Sequence, residues 1–509
     1  MQNNRPTRSK IILSNTLSLY IRMFVALLIG LYTSRVLLKA LGEIDFGVFN
    51  LVGGLVIVFS FINLALSTAT QRFITFDLGI GDLKKLKKTF AMNLNIYFIF
   101  SFVIIVFLET IGLYFLNNKL SIDVGRLPAA NWIFHFMVIS VFFTMIRIPY
   151  QALITAHENM SFIAAAGIIE SISKLIIALL ITLSNYDRLI LYGGLYSTIN
   201  IFLFFLYKIY CNNKFPNISK YTPVWDRSIF LSSLKFSGLS LYEQLSVMVT
   251  FQGVDLILNM FFGVIVNAAM GITKQVQAAV FNFIASFQSA MAPQITKSYS
   301  INDITYLSKL MVIAPKYSLY LVLVITVPIF FNIEPLLNLW LSTSPLYTVG
   351  FCKLILISCI FESVSLPLRT LIFAQGNITK YQIIVGTTLL LNPILSYFFL
   401  KNGFGPNIVL WIRIFLFFVV DVIRIIYIKG LISTSLINYI YKTFGPVIII
   451  LVPGVGLTLL FHLYSNFSVF INLGVSGLIM ALFILWFGLT KHEREFLNSH
   501  LRQIVCKAC

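Results

Sequence analysis

Sixteen ionisable side chains interrupt the long apolar stretches of this 509-residue chain. Ten are basic: Arg22, Arg35, Arg147, Lys174, Lys235, Lys274, Lys316, Lys353, Arg369 and Arg413. Six are acidic: Glu109, Glu170, Glu243, Asp255, Glu362 and Asp421. A charge at the centre of a bilayer costs about 2.5–3.5 kcal/mol on insertion scales, so the whole set facing lipid would cost about 40 kcal/mol. No fold offsets that, so most of these groups must line an internal aqueous cavity, pair with one another or snorkel to an interface. The sign of the excess selects the chemistry. Arginine offers a rigid fork to phosphate oxygens, whereas a pathway for organic cations is expected to prefer carboxylates. Arg22, Arg147, Lys235, Lys274, Arg369 and Arg413 are therefore the candidates for contacting an anionic headgroup. Asp255, Glu362 and Asp421 are candidate proton carriers for coupling, or else neutralise nearby bases. Glu170 and Lys174 stand at i, i+4 and read as a local ion pair. Arg35 and Lys316 lie near span ends, where they can snorkel.

Neutral polar residues follow the same geometry. Asn15, Ser18 and Arg22 fall on one helical stripe, and Ser60, Asn63, Ser67 and Gln71 on another. Such stripes either face a cavity or glue helices together through hydrogen bonds.

The elements that position these groups follow from composition. Hydrophobic residues make up 58% of the chain and charged residues 11%, with a mean hydropathy of +0.90. A soluble domain carries about 25% charged residues, so a cytosolic enzyme, a secreted disulfide scaffold and a disordered regulator are excluded. A span needs about 20 apolar residues. Fourteen apolar stretches, from 12–36 to 468–489, read as spans, and the fold expected is an all-α polytopic membrane protein. With the N-terminus placed inside, cytoplasmic segments carry 22 Lys and Arg against 5 in external loops. That bias places both termini in the cytoplasm. The cluster Lys84, Lys85, Lys87 and Lys88 reads as a topology anchor at anionic headgroups. The net charge of +19 is scattered between apolar runs and forms no stripe for nucleic acid.

Other chemistry has no counterpart in the sequence. There is no GxxxxGK[ST] loop for ATP and no HExxH. Cys506 and Cys509 form a CxxC without a partner pair, weak evidence for zinc. No cofactor is expected. His135, His157, His462, His492 and His500 are scattered and read as structural.

Self-comparison exposes a duplication. Leu17-Ser18-Leu19-Tyr20 recurs as Leu239-Ser240-Leu241-Tyr242, a shift of 222, and Gly42 pairs with Gly263 at 221. Ser67 and Gln71 pair with Ser289 and Gln294, while Pro149, Ala156 and Asn159 recur as Pro367, Ala374 and Asn377, each shifted by 218. Ser18 and Arg22 thereby map onto Ser240 and Gln244, and the second stripe maps onto Asn282, Ser286 and Ser289. Two six-span copies inserted with the same orientation form a parallel repeat, an architecture of transporters with a site between the halves. The expected organisation is an N-terminal lobe over 1–229, a C-terminal lobe over 230–429, and two extra helices with a tail over 430–509.

The stretch Ser34–Leu51 carries basic Arg35, a Leu41–Gly42 turn and the pair Phe46–Gly47. It resembles the start of bacterial polysaccharide biosynthesis proteins, and Pro149–Met160 resembles the segment that ends their fourth span. Over roughly residues 10–430 the chain looks like a Wzx-type lipid-linked oligosaccharide flippase of the MOP exporter superfamily. The resemblance implies two six-helix lobes around a cation-lined cavity, in which Arg22 matches a base of the first span. It implies an undecaprenyl-pyrophosphate-linked repeat unit of O-antigen, capsule or exopolysaccharide as substrate, and the bacterial inner membrane as location. Polysaccharide polymerase and glycosyltransferases are the partners it implies. The last two spans resemble the extra pair of the lipid II flippase. A multidrug or cation antiporter and a lipid II flippase of the same superfamily stay open as alternatives, as does a scaffold of a polysaccharide assembly complex.

Overall fold

The computed structural model describes residues 8–57, 60–118, 122–341, 345–464, 467–490 and 493–494. Among the described residues there are seventeen α-helices and no strand. Eleven helices are long and apolar enough to cross a membrane, and the chain is an all-α polytopic membrane protein. Fourteen spans are expected from the sequence, among them 262–291 and 407–428. Helices α10 (Val264–Ser300) and α15 (Ile408–Ile428) cover two of the expected spans and are long enough, but polar residues interrupt them. The expected span 45–68 is divided between the end of α1 (Arg8–Ile57) and the start of α2 (Ser60–Ile80), around residues outside the described ones.

α1 is two helices joined across Gly42, whose φ of 76° and ψ of 172° suit glycine alone. No atom lies within 4 Å of where a Cβ would stand there, so backbone conformation rather than crowding demands the glycine. Its repeat partner Gly263, at φ 74°, separates α9 (Arg227–Phe262) from α10 in the same way. Pro149 and Pro367 likewise both lie inside helices, α5 (Leu127–Ala156) and α13 (Thr348–Gln375). The duplication is thus written in backbone geometry as well as in residue types.

The chain divides into two compact units, residues 1–245 with 296–301, and residues 246–295 with 302–509. In the first, α5 packs on α7 (Arg188–Lys214), on α2 and on α3 (Leu83–Phe107), and α1 packs on α6 (Met160–Leu180). Its core joins Met92, Ile96, Ile133, Phe134 and Met145. Aspartates start several helices by accepting otherwise orphaned backbone N–H groups: Asp82 accepts from Lys85, and Asp187 from Leu189 and Ile190. Arg126 donates to Asp187 at 2.6 Å and also to Asp45, tying the starts of α5 and α7 to the segment after Gly42. The hydrogen bonds it donates to the Asp45 carboxylate hold the Arg126 guanidinium above its ordinary range.

In the second unit, α13 packs on α15 and on α11 (Ile304–Phe331), and α14 (Thr379–Lys401) packs on α15. Helices α16 (Leu436–Tyr464) and α17 (Val469–Phe483) pack on α11 and on each other. α15 displays the inside-out logic of a membrane protein. Trp411, Phe415, Phe418 and Val422 are exposed at near-helical spacing, while Arg413, Asp421 and Arg424 are buried. Lipid solvates the aromatic stripe, and neighbouring helices must satisfy the charges.

Candidate functional site

Four helices of the first unit bring together two of the candidate bases, Arg22 and Arg147, with the local pair Glu170 and Lys174. Arg22 extends from α1, Arg147 from α5, Glu170 and Lys174 from α6, and Tyr207 from α7. The Lys174 ammonium donates to Glu170 at 2.7 Å and lies 5.4 Å from the centroid of the Tyr196 ring. The same carboxylate lies within electrostatic reach of Arg147 and Arg22. Neither arginine has a carboxylate within ion-pair distance among the described residues, however. Arg147 stands 5.4 Å from the centroid of the Tyr207 ring, a cation–π contact that leaves its fork open. Its Nε is buried without a hydrogen-bond partner among the described residues. Arg22 lies across α6 at Gly167, where a Cβ would stand 2.9 Å from its Cδ and 3.2 Å from its Cζ. Three cations thus share the electrostatic reach of one carboxylate inside a helix bundle. Lys174 and Glu170 are each about 30% exposed, so the cluster is not sealed.

The second unit holds the opposite arrangement. The Lys274 ammonium pairs with Asp255, whose other oxygen is buried and unpartnered among the described residues. Arg413 pairs with Glu362 at 3.1 Å, and Gln277 donates to both oxygens of Glu362 at 3.2 Å. The guanidinium of Arg413 is sandwiched between Phe251, at 4.2 Å, and Phe417, at 5.0 Å. A cavity of about 10 Å³ opens among Thr250, Asp255, Lys274, Asn392 and Arg413. That is room for about one water. Asp421 accepts from Ser365 and lies 3.7 Å from Arg424, which donates to the Tyr381 hydroxyl at 2.8 Å. All three candidate coupling carboxylates therefore face a base.

The other candidates lie apart. Lys235 is exposed on α9, and Arg369 is half-buried on α13 against the ring of Phe373. Lys316 is buried in α11 and donates to Glu493 at 2.7 Å rather than reaching an interface alone. Glu109, in a π-helical turn at Leu108–Gly112, meets the Nδ1 of His135 at 2.9 Å. The hydroxyls of Ser18, Ser286 and Ser289 donate to carbonyls one turn back in their own helices. This satisfies them locally and removes them as independent evidence for a wet surface. Ser60 and the pair Cys506 and Cys509 lie outside the residues described at side-chain level, as do His492 and His500. Among the described residues no group of three His, Cys, Asp or Glu could hold a metal ion. Two participants carry no signal that composition alone could find. Gly167 is one glycine among 28, and Arg424 is not among the candidate bases.

No family model and no curated protein matches the sequence. Solved structures do match the fold. An outward-facing multidrug resistance MATE family transporter of the MOP superfamily superposes with a TM-score of 0.72 at 13% identity, over 84% of this chain and 97% of that one. A MATE in complex with MaD3S gives 0.70 at 15% identity, with the same coverage. A MOP superfamily transporter from Pyrococcus furiosus, described as having a binding pocket of reverse polarity that suggests a different function, gives 0.71 at 13% identity and the same coverage. The chain therefore has the MATE-like fold of these transporters.

Proposed function

We propose that the chain is a transporter that moves an undecaprenyl-pyrophosphate-linked oligosaccharide across the bacterial inner membrane by alternating access. One observation carries the reading: Lys174 pairs with Glu170 at 2.7 Å, and Arg22 and Arg147 lie within electrostatic reach of the same carboxylate in the first unit. In a setting of low dielectric, unneutralised guanidinium groups favour an anion, and arginine forks fit phosphate oxygens. Arg22, Arg147 and Lys174 hold the phosphates in this proposal, while Lys274 and Arg413 are assigned to structural pairing with Asp255 and Glu362. The parallel repeat and the fold of the MATE neighbours support a transporter rather than an enzyme or a scaffold. Polysaccharide polymerase and glycosyltransferases are the partners such a substrate requires. The positive-inside bias supports cytoplasmic termini.

A second reading, export of organic cations, has the fold of the multidrug neighbours in its favour and the polarity of the first unit against it. Reverse polarity in the Pyrococcus furiosus transporter supports the view that one fold serves ligands of either sign. Single substitutions Arg22→Ala and Arg147→Ala, in the polysaccharide-producing host, should lower surface polysaccharide at least tenfold while membrane abundance stays unchanged, since each removes a charge-assisted contact of about 1.5–3 kcal/mol. Normal polysaccharide in both variants, or drug efflux that survives in them, would favour the cation exporter.

A further inference from the structure

We infer that Gly167 is a positioning residue, the one place on α6 where the absence of a side chain lets Arg22 lie across the helix beside Glu170. This rests on the reading of the first unit as an anion site. Gly167 sits in the interior of α6, seven residues from its start, where glycine is the poorer helix former. It has no positive φ to justify it, unlike Gly42 or Gly263. What it does have is Arg22. A Cβ at Gly167 would overlap the Nε of that arginine and stand 2.9 Å from Cδ and 3.2 Å from Cζ, so the three nearest atoms it would meet from outside its own helix all belong to that one flexible side chain. Glu170 follows one turn later on the same helix face and senses both arginines and Lys174. The glycine therefore fixes where the guanidinium of α1 rests relative to the only carboxylate of the cluster.

Two consequences follow from the chemistry. Glu170 acts as a built-in stand-in for the incoming anion, holding Lys174 until phosphate oxygens compete for the same donors. A methyl group at Gly167 displaces the flexible end of Arg22 without removing its charge and without breaking α6. A residue with only a packing role would not behave this way.

The test uses the full chain in detergent and farnesyl diphosphate as probe, with farnesol as the control that shares its tail. Wild type should bind the diphosphate and not the alcohol. Arg22→Ala and Gly167→Ala should each weaken binding about tenfold, and the double variant should be no weaker than either single one, because both remove the same contact. Gly167→Ala should melt no lower than wild type. Normal binding by Gly167→Ala beside weakened binding by Arg22→Ala overturns the positioning role alone. So does a lowered melting temperature for Gly167→Ala, which would make the glycine a packing residue. Additive losses in the double variant also count against it. Unchanged binding by Arg22→Ala, or none by wild type, overturns the anion-site reading beneath it.

Discussion

Buried charge in this protein is resolved in two ways, by a carboxylate at ion-pair distance or by an aromatic ring alone. Arg413 is 4% exposed, yet its guanidinium has a carboxylate at 3.1 Å and phenyl rings beside it. A pair of that kind contributes little net stability but is costly to break from one side, because the partner left behind is an uncompensated charge. Glu362→Ala should therefore destabilise the protein by about 3–5 kcal/mol, read as a lowered melting temperature in detergent. Replacing Glu362 and Arg413 together by apolar residues should recover much of that loss. Equal melting of the single and double variants would show that the pair is not coupled. Arg147 stands on the other side of the distinction, with an aromatic ring beside it but no carboxylate within ion-pair distance among the described residues. Sequence spacing reveals Glu170 and Lys174 as a pair, since i, i+4 contacts are local. It leaves Lys274–Asp255 and Arg413–Glu362 invisible, because those partners are 19 and 51 residues apart and meet only through packing. Six candidate bases look alike in sequence for this reason, and the structure sorts them.

Among the elements, the turn at Gly42 and the turn at Gly263 are the best evidence that two copies of one design are present. Both glycines take positive φ and neither is crowded. An L-residue forced into a sparsely populated positive-φ conformation costs about 1–3 kcal/mol, so Gly42→Ala and Gly263→Ala should each lower stability by about that amount. The measurement is thermal unfolding of the two single variants. A neutral result at either position would mean that the local backbone relaxes into another turn. The helices themselves are legible from apolar length, and the repeat from a near-constant shift. Both α10 and α15 are read as spans from the sequence, at 262–291 and 407–428, although Lys274 stands in one and Arg413, Asp421 and Arg424 in the other. Less legible is which of these charges are paired, since that depends on packing between helices. Polar stripes are ambiguous for a related reason: the Ser286 hydroxyl has a partner within its own helix, and no sequence pattern distinguishes that from a partner across a cavity.

At the level of the whole molecule, orientation in the bilayer rests on the distribution of Lys and Arg, which predicts that the segment carrying Lys84 faces the cytoplasm. The measurement is available because Cys211, Cys352 and Cys359 are buried free thiols. A variant with Cys506 and Cys509 replaced and Lys84→Cys introduced should resist a membrane-impermeant maleimide in intact cells and react after permeabilisation. Labelling in intact cells would invert the proposed topology. One last consequence belongs to Gly42. Its φ of 76° and ψ of 172° are, in mirror image, ordinary extended backbone for a residue with a side chain. The constraint at this turn is one of handedness rather than volume. A D-alanine introduced there by chemical ligation should be accommodated where its L-enantiomer is not, so the hinge of the first copy discriminates between enantiomers of a single methyl-bearing residue.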